Sequence, residues 1–152
     1  MNNNDVLRQI RYIFNFSDDQ MMSIFKLADH EKSRAEISAF LKKEEEDDYL
    51  EIQDCDLALF LDGLIISKRG RSENYTKDSK QILNNNIIFR KLKIALNYKD
   101  IDILEVFDLA DLRISKHEIS AFFRNPKQSQ YRECKDQFLR NFLFGLKKKI
   151  RS

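Results

Sequence analysis

Three glycines and one proline are very few for a chain of 152 residues. Sandwiches and barrels turn often, and their turns draw on those two residues, so the shortage speaks against an all-β fold and for helices. Long apolar runs are missing as well. Stretches such as Leu64-Ile65-Ile66 are only a few residues long, against the roughly 20 needed to span a bilayer. The opening Met1-Asn2-Asn3-Asn4-Asp5 has neither the basic nor the apolar segment of a secretory signal. The two cysteines, Cys55 and Cys134, stand far apart and fit no zinc or redox spacing. These absences give the expectation of a cytoplasmic protein with two free thiols, no membrane segment, no metal and no cofactor.

What is present is enough for a core. Hydrophobic residues make up 42% of the chain and 12 of them are phenylalanine, which rules out wholesale disorder. The length suits one ordinary domain or two minimal ones.

A repeat decides between those two. Shifted by 82 residues, Asn2 to Leu64 aligns with Asn84 to Leu146 without a gap, and about 24 of the 63 positions are identical. The matches include Asn2-Asn3-Asn4 with Asn84-Asn85-Asn86, and Leu27-Ala28-Asp29 with Leu109-Ala110-Asp111. They also include Glu36 to Phe40 with Glu118 to Phe122. Self-similarity of this kind marks a duplicated structural unit.

Each repeat reads as four helices. The first carries Val6, Leu7, Ile10, Ile13 and Phe14, or Ile88, Phe89, Leu92, Ala95 and Leu96, at helical spacing. Asn15 and Asn97 follow directly, and asparagine tolerates the left-handed conformation that often ends a helix. The second helix begins near Ser17 and buries Met21, Ile24, Phe25 and Ala28, mirrored by Ile103, Val106, Phe107 and Ala110. The third opens on a capping box, Ser33 with Glu36 and Ser115 with Glu118. The fourth is expected to start from an aspartate cap at Asp54 or Asp136 and carries Leu57, Phe60, Leu61 and Leu64, or Leu139, Phe142, Leu143 and Leu146. A repeat of some 63 residues is marginal alone. The expected fold is therefore all-α, with two tandem pseudo-symmetric four-helix repeats packed into one compact body: residues 1–66, a basic linker over 67–83 read as a loop, and residues 84–152.

The run Asn3 to Arg8, the Ile-Ser-Ala-Phe of both third helices (Ile37 to Phe40, Ile119 to Phe122) and Asp136 to Leu143 together resemble the YehS-like family. These are bacterial proteins with two copies of a domain of unknown function, of the DUF1456 type. The resemblance covers nearly the whole chain. It implies the duplicated architecture and a bacterial cytoplasmic setting, and it supplies no activity and no catalytic residues. Pro126 in the second repeat keeps the family's proline in the third loop, where the first repeat has a run of acids.

Charge divides the repeats. The net +2 of the chain is made of −8 over residues 1–66, +3 over 67–83 and +7 over 84–152. The contrast is sharpest between Glu44-Glu45-Glu46-Asp47-Asp48 and Pro126-Lys127-Gln128-Ser129-Gln130, and Lys147-Lys148-Lys149 adds to the basic side. Charge runs are commonly solvated faces. Two functional readings stand beside that one: complementarity in a protein interface or self-association, and approach of the basic half to a polyanion.

The candidate chemistry is thin. The second and third helices of each repeat can be read as a helix-turn-helix, with Lys116, His117 and Ser120 on base edges and Arg113, Arg124 and Lys127 on phosphates. The turn lacks the glycine often found there, and such helix pairs are common in small helical proteins. Ser38 and Ser120 have no base placed beside them, and Gly63 and Gly145 read as close packing or a helix end. His30 and His117 are not equivalent in the repeat and read as surface residues rather than metal ligands. Arg8 and Arg90, Asp29 and Asp111, and Glu51 and Glu133 occur in both repeats, which favours structure over catalysis; the arginines are expected to pair with acids of their own repeat.

The sequence therefore points to a non-enzymatic protein-binding or regulatory module that meets a protein partner or itself. Nucleic-acid binding by the basic second repeat is the alternative. The contact residues for either are Arg113, Lys116, Arg124, Lys127, Lys147, Lys148 and Lys149, and no catalytic residue is assigned.

Overall fold

Serine, asparagine and aspartate in the right places set where these helices begin and end. In the computed structural model, which describes residues 1–151, eight helices follow one another and no strand occurs among the described residues. They are α1 (Asn3–Phe14), α2 (Asp18–Leu27), α3 (Arg34–Leu41), α4 (Asp54–Arg69), α5 (Asn85–Leu96), α6 (Asp100–Leu109), α7 (Lys116–Phe122) and α8 (Asp136–Arg151). Two units result, Met1–Leu83 with α1 to α4 and a second from Asn84 onward with α5 to α8.

Both expected capping boxes are formed: the Ser33 and Ser115 hydroxyls accept the Glu36 and Glu118 amides at 3.1 Å, and each glutamate accepts the serine's own N–H. Asn15 and Asn97 end α1 and α5 with φ of 55° and 56°. Asp29 and Asp111 take the same left-handed turn after α2 and α6, each at φ 57°, a conformation that short polar side chains tolerate. Their retention in both repeats is thus a backbone requirement.

In the first unit Leu7, Ile10, Met21, Phe25, Ile37, Phe40, Leu57 and Phe60 are buried. The second unit buries Phe89, Leu92, Ile103, Phe107, Ile119, Phe122, Leu139 and Phe142. Replacing Leu7 by Phe89 makes this core aromatic: the Phe89 ring lies 4.6 to 6.1 Å from those of Phe107, Phe122, Phe123 and Phe142, distances at which tilted and edge-on rings attract. Gly63 and Gly145 are close-packing glycines. A Cβ on Gly63 would stand 1.9 Å from the Ile24 carbonyl oxygen, and one on Gly145 2.0 Å from that of Val106, so α4 rests on the backbone of α2 and α8 on that of α6.

Three expectations need correction. The aspartates at the start of α4 and α8 are the first helical residues, not the caps; Gln53 precedes α4 without a side-chain cap. The Asp54 carboxylate instead accepts Asn3 Nδ2 at 2.8 Å, and Asp136 accepts Asn85 Nδ2 at 2.7 Å, so each aspartate is spent on a neighbouring helix. The segment 67–83 is not all loop: α4 runs on through Ser67 to Lys68 and Arg69, two cations that suit a helix C-terminus, and stops at Gly70, whose φ is 88°. The remainder folds onto the first unit. Arg71 donates to the Leu27 carbonyl and to Asp29, Lys77 to the Asp29 carbonyl, and Gln81 to Asp62. Finally, Arg8 pairs with Asp5 and donates to the Lys42 carbonyl at 2.8 Å, but Arg90 meets no acid among the described residues, because Ile87 stands where Asp5 does in the first unit.

Candidate functional site

The most extensive polar network in each unit is built from the asparagine triplet, one residue per task. Asn2 and Asn84 cap α1 and α5 through the amides of Asp5 and Ile87. Asn3 and Asn85 reach the aspartates of α4 and α8. Asn4 and Asn86 are buried, and each clamps the loop before the last helix. Asn4 donates to the Phe40 and Leu50 carbonyls at 2.9 Å and accepts the Ile52 amide at 3.2 Å. Asn86 does the same with Phe122, Arg132 and Cys134. The Asn4 oxygen also accepts the Tyr49 hydroxyl at 3.1 Å, so both buried asparagines spend their amide groups on holding the fold. Sequence reasoning had the triplet as a repeat marker and missed this role; the signal was three consecutive asparagines retained in both repeats.

One place in the fold has diverged chemically. In the first unit His30 Nε2 lies 2.6 Å from Asp56 Oδ1, and Lys32 Nζ lies 3.5 Å from both Asp56 and Glu36. The His30, Lys32 and Asp56 side chains are only 15 to 18% exposed, so His30 is not the surface residue expected from sequence. The second unit puts Leu112, Ile114 and Phe138 at these positions. There Arg132 pairs with Glu118 at 2.8 Å and lies over the Phe138 and Phe122 rings.

The same divergence shapes a cleft between the second and third helices of each unit. In the first unit it is lined by Asp19, Met22, Ser23, Lys26, Glu31 and Lys32, among others, and ion pairs cross it: Lys26 with Glu31, and Arg34 with Asp18 and Asp19. In the second unit the equivalent cleft, about 780 Å³ and open to solvent, has Ile101, Leu104, Leu112 and Ile114 as its apolar lining. Ile101 is 63% exposed. Glu105, Asp108, Glu118 and Arg113 stand around it.

The seven contact residues expected from sequence are scattered by the fold. Arg113 lines this cleft, among carboxylates. Lys116 is the exposed first residue of α7. Arg124 donates to Gln130 at 2.6 Å, and Lys127 sits exposed in the same loop with its amide on Asn125. Lys147 and Lys148 lie over the Phe144 ring, while Lys149 bonds Glu105 at 3.2 Å and covers Tyr98. As a reading helix α7 is short. It has seven residues and is reached through six connecting ones, where the DNA-binding motif uses three or four, and Ser120 donates back to Asp100 at 3.4 Å.

No group of three or more His, Cys, Asp or Glu gathers to hold a metal among the described residues, and no helix there is long and apolar enough to cross a membrane. Cys134 is buried, and burial pushes its thiol up to about 12, so it stays protonated and unreactive.

A family model described as "Protein of unknown function (DUF1456)" matches residues 3–70 and again residues 85–152. The chain is also 40% identical over 147 residues to the "Uncharacterized protein YehS" of Escherichia coli (strain K12), covering 96% of this chain and 94% of that protein. No solved structure matches.

Proposed function

The chain belongs to the DUF1456 family of proteins of unknown function, and from that premise we propose that it is a non-enzymatic protein-binding or regulatory module which receives its partner in the α6–α7 cleft. One observation carries the reading. Ile101, Leu104, Leu112 and Ile114 line an open cleft of the second unit, where the first unit has Asp19, Met22, His30 and Lys32 and Asp19 is held in an ion pair by Arg34. Apolar side chains gathered in one open cleft are costly to leave in water, and such patches mark interaction surfaces. A reducing cytoplasm belongs to the same reading, supported by the free thiols of Cys55 and Cys134. Nucleic-acid binding is the second reading, favoured by the net +7 of residues 84–152 and by the exposed Lys116 and Lys127.

The test pairs two measurements. A photo-cross-linking residue is placed at Ile101 and, as a control, at the equivalent Asp19, and adducts are read from cell extract. Fluorescence anisotropy with random-sequence duplex DNA and single-stranded RNA is then followed at low and moderate salt. Adducts from position 101 and not from 19 support the protein-binding reading. Tight binding that falls steeply with salt and is lost on Lys116→Ala with Lys127→Ala replaces it by the second.

A further inference from the structure

The exposed face of α8 is the chemical inverse of the cleft. Arg140, Phe144, Lys147, Lys148 and Arg151 are all exposed, and their three- and four-residue steps place them on one side of the helix. Phe144 is 41% exposed in the middle of this stripe, with the Lys147 and Lys148 ammonium groups 5.1 and 4.8 Å from its ring centroid. The cleft offers an apolar lining beside three carboxylates, Glu105, Asp108 and Glu118, and one cation, Arg113. Glu105 and Glu118 are held by Lys149 and Arg132 of the same unit, whereas Asp108 meets no cation among the described residues and is the carboxylate left for an incoming lysine.

We infer that the occupant of the α6–α7 cleft is a second copy of this chain, which enters with the α8 stripe. This deepens the protein-binding reading and rests on it. Phe144 of one copy fills the apolar lining, and Lys147 and Lys148 reach Asp108, the helix-in-groove mode in which apolar anchors supply affinity and charge sets the register. Every copy carries both the stripe and the cleft, so the pair that fills both clefts at once is the twofold one, and a head-to-tail contact would instead grow beyond the dimer.

Sedimentation velocity of the full chain tests the inference. The expected result is a dimer that weakens as salt rises. Asp108→Lys and Lys148→Glu each raise its dissociation constant roughly tenfold or more, and the double swap brings it back to within about threefold of the parent. Both positions are exposed, and far-UV circular dichroism checks that the fold is intact; Phe144→Ala, which removes the anchor without changing charge, also weakens the dimer. A monomer at every concentration overturns the inference, as does a dimer indifferent to these variants. The cross-linking at Ile101 separates the two levels. A monomeric chain that still forms position-specific adducts with other proteins overturns the second copy alone, and a monomer without adducts overturns the protein-binding reading with it.

Discussion

The side-chain oxygen of Asn86 accepts the backbone amide of Cys134 at 2.8 Å, 48 residues further along the chain. Its amide group donates in the other direction, to the carbonyls of Phe122 and Arg132, so one buried side chain fastens both ends of the segment between α7 and α8 to α5. Asn86→Ala leaves two carbonyls and one amide without their partner. At ~1–3 kcal/mol for each buried group left unmade, with water rescuing some of them, the expected loss is about 3 kcal/mol in urea unfolding. Asn4→Ala in the first unit has the same direction. A loss within about 0.5 kcal/mol, the range of surface substitutions, would mean that water replaces the clamp.

Gly145 makes a steric prediction. A methyl group there would point into the Val106 carbonyl oxygen at 2.0 Å, and that atom belongs to a helix backbone that cannot move alone. Gly145→Ala therefore costs ~3 kcal/mol or more, the upper end of overpacking, even though alanine favours helix by about 1 kcal/mol. Gly70→Ala meets open space and suffers only from its backbone conformation, φ 88° with ψ 160°, a region left almost entirely to glycine, so its loss is about 1–3 kcal/mol. Thermal unfolding of the two variants decides whether contact or conformation dominates.

The different legibility of these features has physical causes. Helix spacing, capping boxes, the left-handed Asn15 and Asn97 and the close-packing glycines follow from local rules or from the repeat, and they could be read from residues a few positions apart. The asparagine clamp and the Asn3–Asp54 bridge join residues about 36 to 51 apart, where no local rule reaches. Asp54 looked like a cap because aspartate usually is one; a better-placed donor on α1 claimed it. Arg90 shows that retention alone does not secure a role, since its partner's position changed to Ile87. The cleft was invisible because Ile101 and Leu112 lie outside the helical core pattern and no local rule brings residues on α6 and in the loop after it together; only the fold does.

The His30–Asp56–Lys32 cluster predicts that one change is worse than three. Removing Asp56 alone, as Asp56→Ala, leaves the mostly buried His30 without its partner and Lys32 with Glu36 alone, and breaking such a set costs ~3 kcal/mol. The triple change His30→Leu, Lys32→Ile, Asp56→Phe installs the residues the second unit already uses there. Replacing an ion cluster by packed apolar side chains is often neutral or stabilising, so the triple variant is expected within about 1 kcal/mol of the parent. Denaturant unfolding of both variants gives the comparison, and a triple variant as weak as the single one would show that the surroundings do not accept the apolar set.

The two capping glutamates set an acid limit on stability. The Ser33 backbone N–H lowers Glu36 below the ordinary carboxylate range, with Lys32 adding to it. Glu118 is lowered first by the Ser115 N–H and then by Arg132. A carboxylate whose value is depressed in the folded state contributes stability that is fully present above its unfolded value, near pH 4.3 for glutamate, and is lost as pH falls through the folded value. The parent should therefore weaken progressively below about pH 4.3, and the double variant Glu36→Gln with Glu118→Gln should show a shallower decline while keeping a cap acceptor at each helix start. Both glutamates are close to solvent, so added salt should screen the part owed to Lys32 and Arg132 and leave the part owed to the serine amides. Chemical denaturation from pH 3 to 7 at two salt concentrations separates the contributions; parallel pH profiles for parent and variant would move the acid limit to other carboxylates, with Asp29 under Arg71 and Asp136 beside Asn85 the next to substitute.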